Sequence, residues 1–128
     1  MLRSVLYSKC HRATVTSADL NYEGSLSLDP VLMAACGWAP YEHIHVVNIN
    51  NGHRFETYLI EAPTSGTGTV QINGAAARLC QVGDLVIILS YCQLETHLIN
   101  QWEPKVVCVN GHNQMITIPS QPKEPART

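Results

Sequence analysis

Aromatic side chains are scarce in this chain: Phe, Trp and Tyr make up 6% of its 128 residues, with a single phenylalanine. Aliphatic side chains must therefore fill most of any core. Charge is sparse as well. Asp, Glu, Lys and Arg total 14%, the formal net charge is −2 at pH 7, and no basic block occurs. No nucleic-acid partner is expected, because phosphate binding takes clustered Lys and Arg. Nor does any stretch approach the ~20 apolar residues of a membrane span. Arg3, Lys9 and Arg12 interrupt any apolar run at the start, so no secretory signal and no membrane association are expected.

Several catalytic signatures are missing. No CxxC occurs, and the five cysteines, Cys10, Cys36, Cys80, Cys92 and Cys108, are odd in number. They read as small buried hydrophobes in a reducing compartment, which points to the cytoplasm. No HExxH occurs. His43 and His45 share one face of a strand, but no carboxylate at ligand spacing supports them, so exposed strand histidines and no metal are expected. A serine hydrolase elbow, GxSxG, is absent. The "NGAAA" at 73–77 lacks the lysine and further glycines of a phosphate loop.

What is present reads as strands and turns. Hydrophobic residues make up 45%, and the length fits one domain that buries roughly two-thirds of its unfolded surface. Leu2–Tyr7 and Cys10–Thr16 predict two strands. Asp29–Pro30 predicts a helix start, with Asp29 as N-cap, a short helix over 31–36, and Gly37 closing it in a left-handed conformation. "HIHVVNIN" at 43–50 and the stretch 53–60 flank Asn51–Gly52, the pair favoured in a type I′ hairpin turn. Thr69–Ile72 predicts a further strand, and "NGAAARLC" a turn entering a short helix. "DLVIILSY" at 84–91 reads as a fully buried strand, and 105–109 with 114–118 as a second hairpin around Asn110–Gly111. Short strands with close turns predict a small closed β-barrel over 1–118. The composition then changes to "PSQPKEPART", which predicts a disordered tail over 119–128.

In the 53–60 strand, alternation sets Arg54, Glu56, Tyr58 and Ile60 on one face and Phe55, Thr57 and Leu59 on the other. Gly24–Ser25 poses a sharper question. It is a common turn pair. A serine hydroxyl can also attack the carbonyl of the residue before it, where glycine permits an unusual backbone and leaves that carbonyl unshielded. The peptide becomes an ester. Elimination then breaks the chain, and the dehydroalanine left behind hydrolyses to a pyruvoyl group.

"KCHR" at 9–12, "YEGS" at 22–25, "NGHRFETY" at 51–58 and "NGAAA" at 73–77 jointly resemble the pyruvoyl-dependent aspartate 1-decarboxylases. "VGDLVII" and "WEPKVV" extend the likeness over about residues 1–116. The resemblance implies a mainly β, double-psi β-barrel with two or three short helices, and release of β-alanine from L-aspartate for pantothenate synthesis. It further implies a homotetramer of cleaved subunits, each with a 24-residue β chain and a 104-residue α chain. Carried over by position, Gly24–Ser25 resembles the self-cleavage site, with Ser25 becoming the covalent pyruvoyl cofactor. Tyr58 resembles the proton donor. Thr57 resembles the residue needed for cleavage and placed near substrate. Arg54 and Lys9 resemble the polar contacts to substrate and cofactor, and Asn73 with Gly74, Ala75 and Ala76 the loop lining the pocket. His11 and Tyr22, within the same motifs, are supporting positions. Cys10 stands where a larger aliphatic residue is usual, and residues 119–128 match nothing in the family.

Thr57 faces away from Arg54 and Tyr58 in a regular strand. Either the strand is irregular there or the site lies at a subunit boundary, and the boundary is the expectation. Two other readings stay open: an uncleaved β-barrel binding module, and a pyruvoyl decarboxylase of another small amino acid. Whether a helper protein promotes cleavage is not readable from these residues.

Overall fold

A computed structural model describes residues 1–116. Its strands are β1 (Leu2–Thr14), β2 (Ser17–Asp19), β3 (Ser25–Leu28), β4 (His43–Asn48), β5 (Arg54–Glu61), β6 (Val70–Asn73), β7 (Leu85–Glu95) and β8 (Lys105–Cys108). One α-helix, α1 (Pro30–Cys36), and two 3₁₀ helices, Gly74–Leu79 and Thr96–Gln101, complete the described elements. The sheet order is β2-β6-β3-β5-β4-β7-β1-β8.

The two halves of one chain segment close this sheet into a barrel. β1 runs antiparallel to β7, and β2, three residues further on, runs parallel to β6. Between them Val15 donates its N–H to the Asp84 carbonyl (2.9 Å) and accepts from Gly83 (2.8 Å), while Thr16 donates to the Val70 carbonyl (2.9 Å). The chain thus passes from one end of the sheet to the other without losing its ladder. A bulge lets it turn: the β1/β7 register shifts between Cys10 and Ala13, with Arg12 at φ 64°. The parallel pairs β2/β6 and β3/β5, joined by antiparallel β3/β6, give the crossed connections of a double-psi barrel.

Alternation fills the interior. Leu26, Leu28, Ile44, Val46, Leu59, Val70, Ile72, Val86 and Ile88 are all fully enclosed. Trp38, the one buried aromatic among the described residues, uses its indole N–H on Ser90 Oγ at 2.6 Å.

Four sequence expectations need correction. β1 is one strand where two were expected, because the ladder to β7 continues through Ser8 and Lys9. The β4–β5 connection is longer than a two-residue type I′ turn: Asn48 donates to the His53 carbonyl, and Gly52 (φ 77°) but not Asn51 is left-handed. β7 alternates buried and half-buried residues and is not enclosed on both faces. After β8 the chain turns back through Asn110–Asn113 with Asn113, not Gly111, left-handed; among the described residues the return shows a single bridge, Val109 to Met115, and residues 117–118 lie outside them. The tail expected over 119–128 lies outside the described residues.

The helix expectation holds in detail. The Asp29 carboxylate accepts from Val31 N–H at 2.9 Å, and Gly37 sits at φ 72°. Asp29 also accepts from the N–H groups of Gly66 and Gly68, each at 2.9 Å, so it ties α1 to the loop before β6. Burial works to raise its pKa, but the three backbone donors from Gly66, Val31 and Gly68 prevail and hold it below the ordinary carboxylate value. Asp29→Ala should lower unfolding free energy by about 3 kcal/mol, seen as a lower denaturant midpoint. A depressed folded pKa gives a contribution that is complete above the unfolded value and lost as pH falls through the folded one. The wild-type advantage over Asp29→Ala should therefore hold at neutral pH and shrink below about pH 4.

Candidate active site

Ser25 is the first residue of β3 and is 1% exposed, although Tyr22, Glu23 and Gly24 before it are exposed. Leu26 and Leu28 point into the barrel, so Ser25 and Ser27 point outward. Asn73, directly opposite Ser25 on β6, lies on the same face and is fully enclosed. Its side-chain amide donates to Ser25 Oγ and to Ser27 Oγ, both at 3.0 Å. Its oxygen accepts from the Gln71 amide at 2.7 Å, and the Gln71 oxygen accepts from the Ser17 hydroxyl at 3.0 Å. This chain of bonds fixes which end of Asn73 faces Ser25. The Ser25 hydroxyl donates in turn to the Glu23 carbonyl at 3.3 Å.

The glycine expectation changes here. Gly24 does not adopt a positive φ, and a side chain there would meet nothing within 4 Å. The strict requirement falls on Gly74. It sits at φ 72°, and a Cβ there would come within 2.7 Å of the Gly24 Cα and 3.2 Å of the Tyr22 carbonyl oxygen. Only a glycine lets the 73–76 loop lie against the 22–24 segment. Ala75 is exposed and Ala76 half-buried.

The parallel β3/β5 ladder pairs Leu26 with Leu59, both inward. One step back stand Ser25 and Tyr58, which therefore share the outer face of adjacent strands. Tyr58 is half-buried, with the Tyr41 ring 6.4 Å away. Thr57 pairs with Ile44 and faces inward. The β4/β5 register runs from His43–Tyr58 to Val47–Arg54 without a shift, so no bulge turns Thr57 toward Arg54.

A second cluster forms further along this face. The Arg54 guanidinium donates to the Tyr91 hydroxyl at 2.9 Å and to His45 Nδ1 at 3.4 Å. Glu56 lies opposite His45, and its carboxylate is 2.8 Å from His43 Nε2 and 3.3 Å from His45 Nε2. Lys9 belongs to the same row, opposite Leu89, which itself lies opposite His45. His11 is half-buried on β1. Burial, then the charges of Lys9 and Arg12, hold its pKa below the ordinary imidazole value, and its Nδ1 has no hydrogen-bond partner among the described residues.

The structure thus brings together Ser25, Tyr58, Asn73 and Gly74, with Tyr22 beside them in sequence and backbone. Arg54, Lys9 and His11 lie apart. Arg54 stands four residues from Tyr58 along an unshifted strand, roughly 13 Å at 3.3 Å per residue. Sequence reasoning missed Gln71, Ser17 and Ser27, which orient Asn73. Alternation sets Gln71 with Asn73 and Ser25 with Ser27, but the pairing of β3 with β6 has no local signal.

A family model described as aspartate decarboxylase matches residues 1–116. The chain belongs to the aspartate decarboxylase family. It is with that family an enzyme, a lyase that removes a carboxyl group. An aspartate 1-decarboxylase of Neisseria meningitidis is 53% identical over 128 residues, spanning 100% of this chain and 98% of that protein. One from Carboxydothermus hydrogenoformans is 51% identical over 118 residues, 92% of each chain. Among solved structures, a rationally designed protein aligns with 61% of this chain and 90% of its own at 17% identity and a TM-score of 0.48, too loose a likeness to argue from. The fold assignment rests on the strand order above.

Proposed function

We propose that this chain cleaves itself between Gly24 and Ser25 and then converts L-aspartate to β-alanine and carbon dioxide with a pyruvoyl group derived from Ser25. Decarboxylation of aspartate follows from family membership. The cofactor, the cleavage and the residue roles are the added reading, as is the use of the product for pantothenate. The observation that carries it is the Asn73 amide donating to an enclosed Ser25 Oγ, beside a Gly74 at which any Cβ would collide with the 22–24 backbone.

These contacts fit the formation of the group. An N–H donor on Oγ stabilises negative charge there, first as the hydroxyl becomes a nucleophile and later as the oxygen leaves on the new Gly24 carboxylate. The exposed Gly24 leaves its carbonyl open to attack. Once formed, the pyruvoyl group supplies an electron sink for the pair left by the departing carboxylate. Tyr58, on the strand beside Ser25, then returns a proton to Cα. Arg54 is suited to the carboxylate that stays. A salt bridge to the departing one would favour the ground state over a transition state that is losing that charge.

An Arg54 roughly 13 Å from Tyr58 along β5 does not reach a four-carbon substrate held at Ser25 of the same chain. A second copy can bring its own Arg54 and Lys9 to that place, which supports a homotetramer with boundary sites. Five free cysteines, three of them buried, suit a reducing cytoplasm.

Three measurements test this reading. Intact mass of wild-type protein should show fragments of 24 and 104 residues, whether or not a helper protein assists, and Ser25→Ala should stay whole, folded and inactive. Cleavage of that variant after residue 24 would remove Ser25 as nucleophile. Tyr58→Phe should still be cut yet lose roughly 10²–10⁴-fold in turnover, since it keeps the ring and loses only the transferable proton; wild-type turnover in a fully cut sample contradicts the role. Co-expressing Arg54→Ala with Ser25→Ala should restore part of the activity that each lacks alone. Proven mixed oligomers without activity would place Arg54 and Ser25 in one chain's site.

A further inference from the structure

Within the second cluster on the outer face lies an arrangement of three side chains that the decarboxylase reading does not use. His43 and His45 project from β4 on the same side, two residues apart, with their ring centroids 5.1 Å from one another. Ile44 and Val46 between and beyond them are fully enclosed, so the strand cannot roll to turn either imidazole away. Glu56 on β5 is held opposite His45 by a register without a shift. Its Oε1 lies 2.8 Å from His43 Nε2 and 3.3 Å from His45 Nε2, and the three donor atoms all fall within 4.8 Å of one another.

We infer that His43, His45 and Glu56 form a binding site for a divalent transition-metal ion of the zinc, cobalt or nickel type. Two imidazoles and one carboxylate suit these ions, whereas calcium and magnesium prefer all-oxygen sets. Tetrahedral ligands about 2.0–2.1 Å from zinc stand ~3.4 Å apart, and rotations of the half-exposed side chains bring the three atoms to that spacing. The fourth position opens to solvent beside a cavity of about 440 Å³ lined by Glu42, Tyr91 and Cys92 together with the two histidines.

The site is coupled to Arg54. An arginine can only donate, so the contact at 3.4 Å requires a lone pair on His45 Nδ1 and places the ring proton on Nε2, toward Glu56. A metal at Nε2 needs the lone pair there. The proton must move to Nδ1, and Arg54 loses that acceptor while keeping the Tyr91 hydroxyl. Metal occupancy therefore alters the anchoring of Arg54 with no net change in ring protonation.

The test is titration of the purified full chain with Co²⁺. The expected result is one ion per chain at micromolar concentration or below, with the visible absorption of a four-coordinate ion, displaced by Zn²⁺. His45→Ala and Glu56→Gln should each weaken binding at least about tenfold, and His112→Ala should not. Broadening of the His43 and His45 ring resonances by Co²⁺ in wild-type protein gives the same answer without a variant. Absence of binding at hundreds of micromolar, unchanged affinity in His45→Ala, or broadening confined to other histidines overturns the site. If Arg54 serves the substrate as proposed above, Zn²⁺ should also slow turnover in wild type. That arm rests on the decarboxylase reading; the Co²⁺ arms do not, so the two fail separately.

Discussion

A β-barrel this small has room inside for side chains and nothing more. Here that interior is taken mainly by fully enclosed leucine, isoleucine and valine from β3, β4, β5, β6 and β7, with Cys10 and Ala13 from β1. Period-two alternation then leaves the outer face as the only place where strand residues can meet a ligand. Ser25, Asn73 and Tyr58 are there, and so are His43, His45, Arg54, Glu56 and Lys9. Thr57 is the exception, held inward opposite Ile44. Ser25 and Asn73 are enclosed on that wall, whereas His43, Arg54 and Glu56 further along it are exposed. The packed core and the outward placement of the polar clusters thus have one cause.

Within this face, position depends on a few polar contacts. The Asn73 amide could present either its oxygen or its nitrogen to Ser25. Gln71 decides, because its own N–H group occupies the Asn73 oxygen at 2.7 Å, and Ser17 orients Gln71 in turn. The residues involved come from β2, β3 and β6. They meet only because β2 pairs with β6 and β6 with β3. The closure of the barrel through Val15 and Thr16 therefore supports the orientation of one amide at the serine.

The same dependence explains what could be read in the sequence. Within the helix, Asp29 and Gly37 act through bonds to residues two to four places away, and their helix appears as expected. The alternation of 53–60 needs no partner and was legible for the same reason. Asn51–Gly52 misled, because Asn48 reaches across to His53 and lengthens the turn. The apolar run in β7 suggested enclosure on both faces, whereas its outward residues Leu85, Ile87 and Leu89 are half-buried on the outer wall. Gln71 gave no signal of its own function, and Gly74 entered only through the family resemblance. Their meaning comes from which strand lies opposite and which backbone would collide with a Cβ at residue 74.

The place of the proposed cut follows from the ladder as well. Residues 20–24 form an exposed bend between β2 and β3, and the fragment before the cut carries both β1 and β2. β1 keeps its pairing with β7 and β8, and contributes Cys10, Ala13 and, just beyond it, Val15 to the core. On the other side, β3 keeps β5 and β6. A break between Gly24 and Ser25 severs a connection but no strand pairing, so both pieces stay in the barrel. The new chain end at residue 25 remains pinned by the ladders on either side of β3. A group formed there is thereby held against Asn73 and beside Tyr58 by the same strand pairings that held the serine.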